Sequence, residues 1–329
     1  MSALRSILLR REMGILVMIV LFCLAVGAYK PQFLTLGQLR IILLLVPLIM
    51  IGAMGQMLVL VGRHVDLSIG STLGFAAMVT GMMFREFPEV WWVLGFGVAI
   101  GTGAALGLLN GVLVTLFRLP AIIVTLGTLN LYRGLTFIIS DARQVDRQYI
   151  PTELKAMSQT SPLFGVPWII IIAFGVAFLT WLFVMHTRIG RQIFAIGSNP
   201  VAAPLRGLKV NQITLLVFTL SGALAGLAGI MYASRWGFVN PSNTGAGFEF
   251  QVIAAVVIGG VSINGGIGTV PGVVLGVLLL GCVSAALPLL GIPGSTQNAI
   301  YGAVILIALL IDRTVRQQGI ASLSQRART

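Results

Sequence analysis

The feature of this sequence that most constrains its fold is a succession of long apolar runs separated by short polar or glycine-rich breaks. The hydrocarbon core of a bilayer is about 30 Å thick, and a helix rises 1.5 Å per residue, so a spanning helix needs roughly 20 mainly apolar residues. We therefore predict an all-α, polytopic membrane protein whose 329 residues form one domain of about ten transmembrane helices. The predicted spans lie near residues 13–29, 41–61, 67–84, 91–116, 119–139, 166–186, 213–234, 250–261 with an uneven continuation, 268–290 and 297–312.

Composition excludes a soluble globule. Hydrophobic residues make up 57% of the chain and charged residues only 9%, whereas soluble domains carry about 25% charged residues. The net charge of +12 does not indicate nucleic-acid binding, because the basic residues are scattered between apolar runs and form no block. Cys23 and Cys282 both lie inside apolar runs, where a thiol behaves as a small hydrophobe, so neither a disulfide nor a metal site is expected.

The distribution of charge predicts the orientation in the membrane. If the N-terminus is cytoplasmic and the spans alternate, the inner side carries thirteen of the 21 basic residues and three of the nine acidic residues. Cytoplasmic loops are enriched in Lys and Arg, so both termini and the tail at about 313–329 are predicted to be cytoplasmic. The first span, preceded by Arg10 and Arg11, also has features of a cleaved signal peptide, but its length favours a retained helix.

Glycine spacing predicts close helix packing. Several of the 40 glycines fall four residues apart within predicted spans, which removes side chains from one helix face and lets two backbones approach each other. These sets are Gly97 and Gly101; Gly103, Gly107 and Gly111; Gly222 and Gly226; and Gly272 and Gly276.

Several kinds of enzyme site are missing from the sequence. None of the three lysines follows a glycine, so there is no phosphate-binding loop, and the only histidines, His64 and His186, are far apart. No predicted span interior contains an Asp or Glu, which argues against an intramembrane metalloenzyme and against ion coupling. We therefore expect no catalytic residue, no metal and no cofactor, and an energy source on another polypeptide. An ion-coupled secondary transporter stays open because backbone carbonyls can bind sodium, as does an intramembrane transferase or a structural membrane protein.

Two acidic residues stand at predicted helix starts. Asp66 lies in the run 65–71, where an Asp followed by Ser68 can cap the free amides of a helix or, in addition, anchor a re-entrant bend near a pathway. Glu249 lies in the glycine-flanked run 245–260, at a helix start on the outer side. An inverted repeat of two halves would produce such a pair.

Hydroxyl groups share one face of the fifth span. In the run 119–134, Thr125, Thr128 and Tyr132 are spaced i, i+3 and i+7. This face is predicted to line the pathway of a polar solute; the alternative is that each threonine bonds to a carbonyl of its own helix.

The inner connection at about 187–212 is basic and contains Gly190, Gly197 and Gly207. Ser198 or Asn199 can cap a short helix with Pro200 in its first turn, and Pro204 would limit this helix to one or two turns. Such a helix, with Ala202 and Ala203 as a small surface, could fit a cleft of a partner; the alternative is a solvated loop that only fixes topology. The outer connection, 140–165, holds three acidic and three basic residues and could dock a soluble protein.

These four runs resemble the permease subunits of bacterial ATP-binding-cassette importers for monosaccharides, the family of the ribose, rhamnose and autoinducer-2 systems. The chain departs from the family at Arg63-His64, where two glycines are usual, at Gln251, where Asp is common, and at Pro204. Arg63-His64 and the run 119–134 favour a rhamnose-like or autoinducer-2-like solute over ribose.

The resemblance implies a permease domain in the bacterial inner membrane, paired with a second permease as a homodimer or heterodimer. Partner ATPase subunits would bind ATP and Mg, and a soluble binding protein would deliver the solute to the outer face. The residues implied for contact with the ATPase are Gly190, Arg191, Gly197, Asn199, Ala202, Ala203 and Gly207. Those implied for the translocation pathway are Asp66, Ser68, Thr125, Thr128, Tyr132 and Glu249, and those proposed for docking the binding protein are Arg143, Arg147, Lys155 and Arg235.

Overall fold

The computed structural model describes residues 11–160, 165–293, 296, 299–303 and 306. Within these residues the chain is helical, and its only strand-like feature is a single bridge between Val145 and Val239. The helices are α1 (Arg11–Tyr29), α2 (Leu36–Val61), α3 (Ile69–Glu86), α4 (Leu94–Leu116), α5 (Ala121–Ser140), α6 (Thr152–Gln159), α7 (Trp168–His186), α8 (Arg188–Ser198), α9 (Ala202–Leu205), α10 (Val210–Trp236), α11 (Phe248–Ile258) and α12 (Val270–Leu289).

Seven of the described helices are long and apolar enough to cross a membrane: α1, α2, α4, α5, α7, α10 and α12. Two further predicted spans form helices outside this group, because α3 is more polar and α11 has only 11 residues. Most of the tenth predicted span, 297–312, and the whole tail at 313–329 lie outside the described residues. The polytopic all-α fold is confirmed.

Helices at the centre of the bundle contact each other through glycine residues. On α4, Gly103 and Gly107 lie directly against the backbone of α10 at Gly222 and Phe218, so no side chain separates the two helices. Gly272 and Gly276 of α12 make the same kind of contact with the end of α11. The predicted role of glycine is therefore confirmed for these pairs, but it is wrong within this chain for Gly97 and Gly101, where an added Cβ would meet open space.

Helices α3 and α11 are discontinuous elements that start inside the bundle. The ring of Phe248, the first residue of α11, packs against Gly52 in the interior of α2, and Gly70, in the first turn of α3, packs against Gly245 and Glu249. With 11 residues, α11 is only about 16 Å long, roughly half of the hydrocarbon thickness.

The two discontinuous helices run to opposite ends of the bundle. Helix α3 runs parallel to α10, since Asp66, before α3, bonds to Ser221, and Leu73, further along α3, lies against Gly229. Helices α2 and α10 are antiparallel, since Gly55 lies against Ser221 whereas His64, after α2, is 3.4 Å from Thr214.

Helix α11 runs in the direction of α2, because it starts beside the middle of α2 and the loop after it reaches the end of α2, where Gly268 packs on Val61. Helices α3 and α11 therefore point away from each other. This is the arrangement that inverted repeats produce in transporters.

The two long connections contain more helix than the sequence indicated. The inner connection, predicted as a loop with one short helix, begins with the 11-residue helix α8, whose start is capped by Thr187 because the Thr187 Oγ1 accepts a hydrogen bond from Gly190 N at 2.9 Å. The outer connection contains α6, which Ser158 joins to Ser234 of α10 by a hydrogen bond of 2.8 Å.

Candidate functional site

A buried polar network surrounds the start of α3. The Ser68 backbone N and Oγ both donate to Asp66 Oδ1, at 2.9 and 2.7 Å, and Asn110 Nδ2 of α4 donates to Ser68 Oγ at 2.8 Å. The hydroxyl of Tyr132 on α5 lies 3.0 Å from Asn110 Oδ1 and 3.0 Å from the Leu106 carbonyl oxygen. The network therefore ties the segment that enters α3 to both α4 and α5.

Two more polar residues complete this network from other helices. Ser221 Oγ of α10 donates to Asp66 Oδ2 at 3.4 Å. The Gln56 amide of α2, in the orientation that satisfies its neighbours, pairs with the backbone N and O of Asp66 at 3.3 and 3.2 Å. The prediction that Asp66 caps the free amides of α3 is wrong, because its carboxylate accepts from Ser68, the residue before the helix, and no side chain at the N-cap bonds to the first turn. The carboxylate instead holds the turn that enters α3, and its role near a pathway stays a prediction.

The hydroxyl face of α5 points inward. Thr125, Thr128 and Tyr132 are all buried, and the Thr125 Oγ1 donates to Ala121 O of its own helix at 2.8 Å while lying 3.2 Å from Val65 O. The three side chains line neither of the two cavities described below. In this conformation they pack α5 against the turn before α3, and their role in a pathway stays a prediction.

Tyr132→Phe is expected to destabilise the protein by about 1–3 kcal/mol, because it removes the hydroxyl donor that faces the buried Asn110 Oδ1. Thermal unfolding of the detergent-purified protein measures this loss. Tyr149→Phe is the matched control, because Tyr149 is 37% exposed. Equal melting temperatures for the two variants would show that the Tyr132 hydroxyl does not stabilise the fold.

Glu249 lies deep inside the bundle, beside the start of α3. Its side chain is 7% exposed, its Oε2 lies against Gly70, and this oxygen has no hydrogen-bond partner among the described residues. The nearest compensating charge is Arg133 of α5, whose guanidinium donates to Thr244 O at 2.8 Å. The sequence placed Glu249 at a helix start on the outer side; the structure places it at the meeting point of α3 and α11.

The residues predicted to contact an ATPase gather at the end of the bundle where α2 finishes. Gly197, near the end of α8, lies directly against Val61 O and Gly266 N, and Gly266 N donates to Val61 O at 2.9 Å. Gly190, in the first turn of α8, lies against the backbone of α7. Helix α8 therefore touches the loop after α11 and, through Val61, the connection that leads into α3.

The short helix α9 is the exposed tip of this end. The prediction that Ser198 or Asn199 is the N-cap, with Pro200 in the first turn, is wrong, because the helix starts at Ala202 after Val201; Asn199 Oδ1 still accepts a hydrogen bond from Ala202 N at 3.0 Å. The helix ends after four residues, within the one or two turns that Pro204 predicted. Ala203 is buried, Arg191 is exposed, and Gly207 turns the chain with φ of 77°. Val201 and Leu205 are 78% and 84% exposed, so apolar side chains project from the tip.

Arg63 occupies a left-handed backbone conformation, with φ of 68°, in the turn after α2. This conformation is costly for any residue except glycine, and the Arg63 Cβ also lies beside the backbone of Gly265. We expect Arg63→Gly to raise the free energy of unfolding by up to about 1 kcal/mol. Arg188→Gly, in the regular helix α8, should lower it, and a loss in both variants would contradict this reading. Thermal unfolding of both purified proteins tests the expectation.

The proposed docking residues lie at the opposite end. Arg143 and Arg147 are exposed, and Lys155 Nζ donates to Arg147 O at 3.0 Å. Beside them is a groove of ≈ 410 Å³ between the start of α4 and α6, lined among others by Glu89, Trp91, Glu153 and Lys155.

Arg235 is placed differently from the other three. It is half-buried in the last turn of α10, and its guanidinium carbon lies 5.1 Å from the ring of Trp236. It lines a cavity of ≈ 210 Å³ between α2, α10, α11 and α12, and its Nη1 is buried without a hydrogen-bond partner among the residues that the structure describes. No pattern in the sequence indicated this cavity.

Comparison with known proteins shows which family the chain belongs to. Residues 38–309 match the family model described as branched-chain amino acid transport system, permease component. The chain belongs to this permease family. The match extends from the first turn of α2 beyond the end of α12, and so includes the discontinuous helices and the α8–α9 end.

Three relatives extend over most of this permease, and all are named autoinducer 2 import system permease protein LsrC. The one from Escherichia coli O9:H4 (strain HS) is 37% identical over 313 residues, covering 93% of this chain and 88% of the relative. Those from Enterobacter sp. (strain 638) and Yersinia pseudotuberculosis serotype O:1b (strain IP 31758) are 35% and 34% identical, covering 95% and 97% of this chain and 90% and 91% of the relatives. No solved structure matches the chain.

The permease is a multi-pass protein of the bacterial inner membrane and a subunit of an ATP-binding-cassette importer. In such an importer ATP hydrolysis belongs to a partner subunit. Among the described residues no group of three or more His, Cys, Asp or Glu side chains could hold a metal ion.

Proposed function

We propose that this permease forms the pathway for a small polyhydroxylated solute, of the autoinducer 2 or rhamnose kind, with ribose as a further possibility. Its partners in this proposal are a second permease, two ATPase subunits that bind ATP and Mg, and a soluble binding protein at the outer face. The names of the relatives support the solute class, since each is called an autoinducer 2 import permease.

The observation that carries the mechanism is the position of α8. Its tip, α9, projects apolar side chains toward a partner, while Gly197 holds its other surface against Val61 and the loop at Gly266. A movement of the ATPase that displaces α9 would therefore reach both discontinuous helices, α3 through the turn after Val61 and α11 through the loop before α12. Because these helices start at the same point inside the bundle, their displacement can open the pathway to alternate sides.

At the opposite end, Arg143, Arg147 and Lys155 offer charges for carboxylates of a binding protein. Exposed pairs are worth only about 0–1 kcal/mol each, so their contribution is to steering, and the association rate should fall as salt increases.

A second candidate solute is a branched-chain amino acid, because the description of the matched family names this class. The test is uptake into vesicles that contain the permease, its ATPase and its binding protein, with labelled autoinducer 2, L-rhamnose, D-ribose and L-leucine. ATP-dependent uptake of one of the first three supports the proposal. Uptake of leucine alone would favour the amino-acid alternative and overturn the proposed solute class.

A further inference from the structure

The cavity beside Arg235 lies between the outer end of the bundle and the start of α11. Its walls are residues of α2, such as Leu45, and of α10, such as Tyr232 and Trp236. Its inner boundary includes Phe248, which packs on Gly52 in the middle of α2. The cavity therefore ends where α3 and α11 meet, the point that must change if a solute is to continue inward.

The guanidinium of Arg235 has a buried donor that is free to bind a ligand in the cavity. Its Nη1 is buried, and the part of the chain that the structure describes offers it no acceptor and places no Asp or Glu in the cavity wall. A buried donor that bonds to nothing costs about 1–3 kcal/mol, and a charged one costs more. Stacking on Trp236 holds the group in place but provides no acceptor.

The other polar groups of the cavity favour a neutral solute rich in hydroxyls. Asn243, Gln251, Ser284 and Tyr301 carry amides and hydroxyls that both donate and accept, as a sugar-like hydroxyl does. The Ser284 Oγ and the Tyr301 hydroxyl lie 2.7 Å apart, so this side of the cavity is a preformed hydroxyl pair.

Size and shape also fit such a solute. The volume of ≈ 210 Å³ is below the roughly 300–1,000 Å³ of pockets for drug-sized ligands, yet far above the roughly 10–15 Å³ that one water molecule needs. The rings of Tyr232 and Trp236 add flat apolar surfaces for the carbon side of a ring-sized molecule.

We propose that this cavity is a binding site for the transported solute within the permease, and that Arg235 donates a hydrogen bond from Nη1 to a solute oxygen. This inference rests on the proposed function and deepens it, because it assigns part of the specificity to the permease itself. The solute released by the binding protein occupies the cavity before the start of α11 moves and lets it pass inward.

The test uses the permease and ATPase complex in lipid nanodiscs without the binding protein, titrated with autoinducer 2, L-rhamnose and D-ribose. The readout is tryptophan fluorescence, because Trp236 lines the cavity. The solute that the complex transports should change the emission saturably, and Trp236→Phe should remove this change while Trp168→Phe keeps it. Arg235→Gln should weaken binding about tenfold or more and raise the KM for uptake.

Matched controls separate binding from folding. Arg40→Gln removes an exposed arginine of α2 and should bind as the wild type does. Gln251→Ala, which removes a smaller polar group from the cavity, gives a second measurement of weakened binding if Arg235→Gln does not fold.

Two results distinguish the failure of this inference from the failure of the proposed function. If the complex takes up a solute with ATP but shows no saturable signal, or if Arg235→Gln and Gln251→Ala bind as tightly as Arg40→Gln, the cavity is not a solute site and the permease function stands. If no sugar-like solute is taken up with ATP, the proposed solute class fails and this inference fails with it.

Discussion

Leu205→Asp is expected to reduce ATP-driven uptake to background while the protein still inserts into the membrane. Leu205 is 84% exposed at the tip formed by α9, and large apolar side chains exposed at such a tip mark a contact surface for a partner. A carboxylate placed in an apolar contact would be desolvated, at a cost of about 2–5 kcal/mol. This corresponds to a loss of roughly 30-fold to several thousand-fold in affinity for the ATPase.

The measurement pairs co-purification of the ATPase with uptake in vesicles. Leu36→Asp is the matched control, because Leu36 is also 84% exposed but begins α2 at the opposite end of the bundle. The control should retain both the ATPase and uptake. A Leu205→Asp protein that still binds the ATPase and transports normally would remove α9 from the coupling mechanism.

Gly222→Val is expected to have the largest effect on stability, about 3 kcal/mol or more. Gly222 of α10 lies against the backbone of Gly103 and Gly107 on α4, so an added side chain meets main chain, which cannot move aside as a side chain can. Overpacking usually costs about 1–3 kcal/mol, and a contact between two backbones falls at or above the upper limit.

Gly97→Val is the control for this substitution, because Gly97 is on α4 and has open space around it. Its melting temperature in detergent should stay close to that of the wild type, whereas the Gly222→Val protein should melt far lower or fail to be recovered as a monodisperse species. A similar melting temperature for both variants would show that close α4–α10 contact does not hold the bundle together.

Apolar length was enough to predict most of the helices. The largest shift at a helix start is at α2, which begins at Leu36 and not near residue 41, because Thr35 Oγ1 accepts a hydrogen bond from Gln38 N and so caps a polar first turn. Helix α8 was missed because its arginines and glycines are typical of a loop, although Gly190, Ile193 and Gly197 have the spacing of one helix face and are among its buried residues.

The site was predicted less completely, because it depends on how the helices pack and on how deep each residue lies in the bundle. Asp66, Ser68 and Tyr132 were singled out, but their link through Asn110 depends on how α4 packs, and a single amide in an apolar helix gives no local signal. Arg235 was assigned to a docking surface because charge counts indicate a side of the membrane but not a depth. Glu249 was placed at a helix start on the outer side, since the sequence does not reveal that α11 starts inside the bundle.

The most direct test of the whole account is uptake into sealed vesicles that contain the permease, the ATPase and the binding protein, with no ion gradient. ATP is supplied on the side of the membrane where the ATPase is bound, and solute accumulation is followed over time. We expect accumulation that requires ATP, the ATPase and the binding protein together, and that persists when ionophores collapse all ion gradients. Accumulation by the permease alone, driven by a sodium or proton gradient without ATP, would contradict the assignment as an ATP-driven importer.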